Sequence, residues 1–284
     1  MSKNHKFNTA KQEKRKSFFR LTAIFICIAV VIGSVSVAVI LKNNNNFIKD
    51  LFAKETTAQS QEESTAENDL VDLEQELTGR ARVLLYCTDR EASEIYFMAM
   101  VDANMKRQSF KVYPLKTDNP DYTKALSTGG YKELIAKVES AEGIKIDRYI
   151  SSDTDTFALA INYMGGLEYT VDERIEYRTD DYTLILTKGN QTIKGETLLK
   201  YFRYCKTLDA QTGLQQQGDL ICAMIDEYIT AENVEKGDTI YEKVLSKINS
   251  KSDISYIEAS KALQMLKLLC ESDKRQPAKV VIEE

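Results

Sequence analysis

"GIKIDRYISSDTDTFALAINYMGGLEYTV", Gly143 to Val171, is the stretch that decides the fold. Within it, "IDRYISSD" (146–153) is a short run of strand formers. "TDTFALAINYMGG" (154–166) then puts Phe157, Ala160, Ile161 and Met164 on one helical stripe and stops at Gly165–Gly166. "YTVDERIEY" (169–177) reads as the next strand. Strand, helix and strand in succession form the repeating unit of an α/β domain, in which helices pack on a central sheet.

The flanks extend this pattern. "RVLLYC" (82–87), "IYFMAMVD" (95–102) and "SFKVYPL" (109–115) predict strands. "YKELIAKVESAEG" (131–143) predicts a helix with Leu134, Ile135 and Val138 on one face and Gly143 as its stop. Before it, "TDNPDYTKALSTGG" (117–130) reads as a long loop, either a binding lid or a surface connection. Downstream, "YTLILT" (182–187) predicts a strand. "GETLLKYFRYC" (195–205), "TIYEKVLSKIN" (239–249) and "SYIEASKALQMLKLLC" (255–270) predict helices, and "AKVVIEE" (278–284) an edge strand. The Met and aromatic residues Phe97, Met98, Met100, Phe157 and Met164 suit an ordinary core better than a ligand-lined tunnel.

Composition excludes several functions. A net charge of −5 gives no nucleic-acid footprint. The sole histidine is His5, which rules out a histidine-based triad or a zinc site with histidine ligands. Leu21–Leu41, "LTAIFICIAVVIGSVSVAVIL", is uncharged and long enough to cross a bilayer. Lys11, Lys14, Arg15, Lys16 and Arg20 precede it, so the positive-inside rule keeps residues 1–20 in the cytoplasm and sends the rest outside. A cleaved signal peptide is the alternative, but the apolar run continues past its small-residue site. Residues 42–79 form a polar extracellular linker, within which "LVDLEQEL" (70–77) reads as a short helix or more of the spacer. Residues 80–284 form the folded domain. The expected architecture is thus a layered α/β domain, with helices packed on a central sheet, behind an N-terminal transmembrane helix. That makes a single-pass protein of the cell membrane. Cys87, Cys205, Cys222 and Cys270 fall outside the span, with no CxxC spacing to suggest metal or redox chemistry.

The stretch "QTGLQQQGDLICAMI" (211–225) is unusual. Its second half is a helix face carrying Ile221, Met224 and Ile225. Gln215, Gln216 and Gln217 gather at what reads as the mouth of that helix, where an anion is favoured, yet no Lys or Arg accompanies them.

The chain resembles the LytR-CpsA-Psr family over about Val83 to Ile229. Gly143–Val171 matches the family core "GI-x-IDHY-x-x-x-D-x-x-x-F-x-x-x-V-D-x-x-GGV-x-V". "KGNQTIKGETLLKYFRYCKT" resembles "G-x-x-x-L-x-G-x-x-AL-x-Y-x-R-x-R", "STGGYKEL" resembles "Y-x-x-GG-x-x-x-L", and "YCTDREASEIYFMAMVD" resembles the first strand, loop and second strand. The resemblance implies an extracellular, layered α/β/α domain with a mixed central sheet that holds a polyprenyl-phosphate lipid. It also implies transfer of the attached glycopolymer to peptidoglycan, with magnesium and several arginines managing the pyrophosphate.

Position by position, the resemblance assigns Asp89 and Glu94 to magnesium, Asp89 and Arg203 to catalysis, and Glu94, Gln216 and Gln217 to ligand binding; Lys116 and Arg90 are the neighbouring cations that a rearranged ligand-binding site would use. It also exposes departures. Family arginines fall on Ala92, Leu115, Cys205, Gly213 and Gln216. The glutamines then stand where an active member would grip pyrophosphate, and a neutral amide does not replace a guanidinium fork. Three functions follow as expectations: a weakened LytR-CpsA-Psr domain that binds envelope lipid or glycopolymer, a transferase with a rearranged site, or a structural envelope protein that docks other proteins. Cys87 and Cys205 also fall near one mouth on this matching, as either a disulfide or two buried thiols.

Overall fold

The structure, a computed structural model, describes residues 79–235, 251–253 and 256–282. The expected span at Leu21–Leu41, its flanks and the helix expected at 239–249 lie outside the described residues. Among the described residues no helix is long and apolar enough to cross a membrane.

A six-stranded mixed sheet organises the domain, in the order β10-β3-β2-β1-β4-β9. β1 (Arg80–Thr88), β2 (Ile95–Asn104) and β3 (Ser109–Pro114) form consecutive antiparallel pairs. β4 (Arg148–Asp153) runs parallel to β1, as a crossover through a helix allows. β9 (Lys251–Ser252) closes one edge beside β4. β10 (Lys279–Val280) closes the other, parallel to β3, where an edge strand was expected. Two small antiparallel pairs stand apart: β5 (Leu167–Val171) with β8 (Gly189–Ile193), and β6 (Ile175–Arg178) with β7 (Thr183–Leu186).

Helices cover both faces. On one side α1 (Pro120–Glu142) buries Tyr122, Leu134 and Val138 against Leu84, Tyr86 and Met98 of the sheet. On the other, α2 (Thr154–Tyr163), α3 (Gly195–Cys205), α4 (Ala210–Tyr228), α5 (Ala231–Glu235) and α6 (Tyr256–Glu271) contribute to a larger cluster with Val83, Phe97 and Val101. Alternating side chains of β1 and β2 thus feed two cores, so both strands are apolar nearly throughout. Phe97 packs 4.4 Å from Phe202 and 5.1 Å from Phe157, centroid to centroid. Burying each such ring contributes about 2–3 kcal/mol. Phe97, Met98, Met100 and Phe157 are core residues.

Three local expectations change. The stretch 117–130 is mostly helix: Asn119 caps α1 by accepting from the Asp121 N–H, and Pro120 supplies the preset first turn. The helix kinks at Gly130, whose φ of 66° and ψ of −155° no helical residue adopts, and ends at Gly143. The segment 169–177 is two strands, broken between Val171 and Ile175. Finally, α4 starts at Ala210, where the Asp209 side chain accepts from the Thr212 N–H. Gln215–Gln217 therefore lie in its second turn rather than at its mouth.

Candidate functional site: two cations held by one carboxylate

The loop "DREASE" (89–94) joins β1 to β2, and Asp89 folds it. Its carboxylate accepts from the Ser93 N–H at 2.7 Å, the Ser93 hydroxyl at 2.5 Å and the Glu94 N–H at 3.0 Å. The Asp89 N–H in turn donates to the Glu94 carbonyl at 3.1 Å. Partial burial pushes the Asp89 carboxyl up, but these donors outweigh it and hold it below its ordinary value. Ala92 takes a left-handed φ of 56° to complete so tight a turn.

Glu94 is aimed by this turn at the end of α3. Its Oε1 lies 3.1 Å from Lys206 Nζ and 3.7 Å from Arg203 Nε. Lys206 also donates to the Ile95 carbonyl. Burial pushes the Lys206 ammonium down, and Glu94 works against that shift. Arg203 reaches Asp181 at 3.6 Å through Nη2 and stacks 4.6 Å from the Tyr182 ring centroid. Tyr96 lies beside both cations, 5.8 Å from Arg203 and 5.7 Å from Lys206.

Two depressions flank this cluster. A cleft of about 480 Å³ is lined by Arg203, Tyr96, Tyr182, Asp181 and Asp155 with apolar Leu159. A pocket of about 150 Å³ is lined by Lys206, Lys116, Thr117, Cys205, Gly213 and Gln217. Lys206 was not singled out from the sequence. Its role depends on Glu94, far away along the chain, and only its place beside Cys205 hinted at it.

The other expected site residues divide. Lys116 is exposed and lines the smaller pocket. Arg90 turns outward to an exposed pair with Asp155. Gln217 is buried, and its amide donates to the Met98 carbonyl at 3.0 Å and the Leu115 carbonyl at 3.3 Å. Both amide hydrogens are thus spent on joining α4 to the end of β3 and to β2. Gln216 contacts α3: the Cys205 thiol lies 3.9 Å from Gln216 Oε1. A Cβ on Gly213 would stand 2.2 Å from the Cys205 carbonyl oxygen. Positions 205, 213 and 216 therefore meet in one close-packed junction between α3 and α4.

Cys87 and Cys205 are both free and buried, and burial pushes each thiol up to about 12. The bridge considered between them is not formed. Asp89 and Glu94 do not fit a magnesium ion as arranged. Asp89 is filled by its own turn and Glu94 Oε1 by two cations. Among the described residues no three His, Cys, Asp or Glu side chains come together as metal ligands.

The profile of the LytR_cpsA_psr family matches residues 99–281. The chain belongs to the LytR-CpsA-Psr family. Its sequence is 30% identical over 132 residues to the polyisoprenyl-teichoic acid–peptidoglycan teichoic acid transferase TagV of Bacillus subtilis (strain 168), covering 44% of this chain and 34% of that relative. The crystal structure of B. subtilis TagV matches this LytR-CpsA-Psr domain with a TM-score of 0.56 at 20% identity, covering 72% of this chain and 84% of that one. TagT bound to LI-WTA matches with a TM-score of 0.50 at 18% identity, covering 72% and 78%. At such identities the structural likeness shows the shared fold. The chain spans about a third of the length of the curated relatives it matches, TagV and TagT among them.

Proposed function

We propose that this chain is a membrane-anchored protein of the cell envelope. Its LytR-CpsA-Psr domain binds a polyprenyl-phosphate-linked glycopolymer or a cell-wall intermediate, and its phosphotransfer is weakened or lost. One observation carries the loss. Cys205, Gly213 and Gln216, where the family resemblance places arginines, are packed against one another, and Arg203 and Lys206 face the chain's own carboxylates. A charge-assisted hydrogen bond contributes about 1.5–3 kcal/mol, so each missing arginine lowers pyrophosphate affinity roughly tenfold to a hundredfold.

Binding is supported by the family and by two relatives. TagV is named for teichoic acid transfer, and TagT has been seen with LI-WTA. Anchoring is supported by Leu21–Leu41 and its basic flank. External protease on intact cells should release the domain by cutting in residues 42–79, and full protection in accessible cells would refute that orientation.

A rearranged active site is the second reading, favoured by Lys206 and Lys116 on one pocket. Full-length protein in detergent, given a polyprenyl-pyrophosphate lipid and magnesium, separates the two. The proposed function predicts lipid binding without phosphate release. Release at the rate of TagV assayed alongside would establish the rearranged site, and Arg203→Ala should then abolish it.

A further inference from the structure

We infer that Glu94 is the specificity-determining residue of this site: its carboxylate occupies the seat of a ligand anion between Arg203 and Lys206 and so weakens the hold on a pyrophosphate there. This deepens the function proposed above and rests on it for the place of the site.

The contacts are those an anion would make. One oxygen, Glu94 Oε1, faces both Lys206 Nζ and Arg203 Nε. A phosphate oxygen would take the same two donors. Arg203 turns its Nη2 to Asp181, so the two cations are matched by two carboxylates of the chain itself. The cluster is neutral before any ligand arrives. A pyrophosphate would bring several negative charges to a place whose positive charge is already spent.

Geometry makes Glu94 a partition as well as a counter-ion. Arg203 lines the larger cleft and Lys206 the smaller pocket, and the carboxylate links them. An anion that used both cations would have to displace it. The Asp89 turn resists this, because it fixes both the N–H and the carbonyl of Glu94. Only side-chain rotation remains. Unless the incoming anion itself pairs with Lys206, rotation leaves that ammonium with the Ile95 carbonyl alone, which costs free energy.

The test uses Glu94→Gln, which keeps the shape and removes the charge, with Glu94→Ala as a second variant should the first fold poorly. Full-length protein in detergent micelles is titrated calorimetrically with inorganic pyrophosphate. Taking one negative charge from beside both cations, at an effective dielectric constant near 20, should tighten binding by about tenfold or more. Adding Arg203→Ala should abolish the gain. An affinity unchanged by both Glu94 variants overturns the inference.

Binding of a polyprenyl-phosphate lipid by the unaltered protein is measured in parallel. Lipid binding without a pyrophosphate gain leaves the proposed function standing and removes Glu94 from it. A pyrophosphate gain without lipid binding does the reverse. Neither signal overturns both.

Discussion

Gly213→Ala tests whether the neutral junction between α3 and α4 is fixed by packing. Gly213 sits in the first turns of α4, with its N–H bonded to the Asp209 carbonyl at 2.8 Å. Helix propensity alone favours Ala there by about 1 kcal/mol. Against this, the new Cβ would stand 2.2 Å from the Cys205 carbonyl oxygen, where carbon contacts are comfortable near 3.5 Å. The obstacle is backbone and cannot rotate aside, so α3 and α4 must move apart by roughly 1 Å. Such overpacking costs about 1–3 kcal/mol. A contact this short against backbone belongs in the upper half of that range, about 2–3 kcal/mol, so the clash should win, leaving a net destabilisation of about 1–2 kcal/mol and a fall in Tm of roughly 2–8 °C. The chain has no Trp, so urea unfolding is followed by tyrosine fluorescence and far-ultraviolet circular dichroism. A variant as stable as the parent, or more stable, would refute the reasoning. If it holds, Gly213→Arg should unfold the domain instead of restoring a phosphate grip.

Gln217→Ala should destabilise by roughly 1–2 kcal/mol in the same assay, because the Leu115 carbonyl loses its buried donor while the Met98 carbonyl keeps only the Leu115 N–H. A loss under about 0.5 kcal/mol would mean that the amide serves a ligand instead. Asp89 has a depressed folded pKa, so its contribution is present above the unfolded value of about 4 and is lost as pH falls through the folded one. The stability gap between the parent and Asp89→Asn should therefore narrow below about pH 4; a gap that widens in acid would contradict the turn. Cys87 and Cys205, buried and pushed up to about 12, should resist alkylation at pH 8 until the protein is denatured, without reductant. A linked Cys87–Cys205 peptide in a non-reducing map would disprove this.

The strand–helix–strand core could be read from local pattern because its periodicities are written into consecutive residues. The mixed character of the sheet came through the family resemblance. What escaped was chemistry at the ends of elements. Asn119–Pro120 starts α1, yet the polar run after it looked like a loop. Asp209 starts α4 several residues before the glutamines, so their place in the helix was misjudged. "GNQTI" (189–193) has only one buried apolar residue and owes its extended form to pairing with β5. In the site, Arg203, Asp89 and Glu94 were legible through the family resemblance. Lys206 and the bonding of Gln217 were not, because both depend on partners that only the tertiary fold brings near.

The pairing of β10 with β3 has a consequence in time. β1, β2 and β3 are successive hairpins, which close quickly, whereas Lys279 must find Lys111 across nearly the whole domain. Until it does, β3 presents a bare row of N–H and C=O groups, a template on which another chain can pair. Two fasteners end that interval: Val280 settles against Gly218, and the Asp226 carboxylate takes the Ala278 N–H at 3.0 Å. Gly218 thus acts as a keyhole for the last strand, and a side chain there would hold the edge open. A chain that docks β10 last is most adhesive to its neighbours just before the domain is complete.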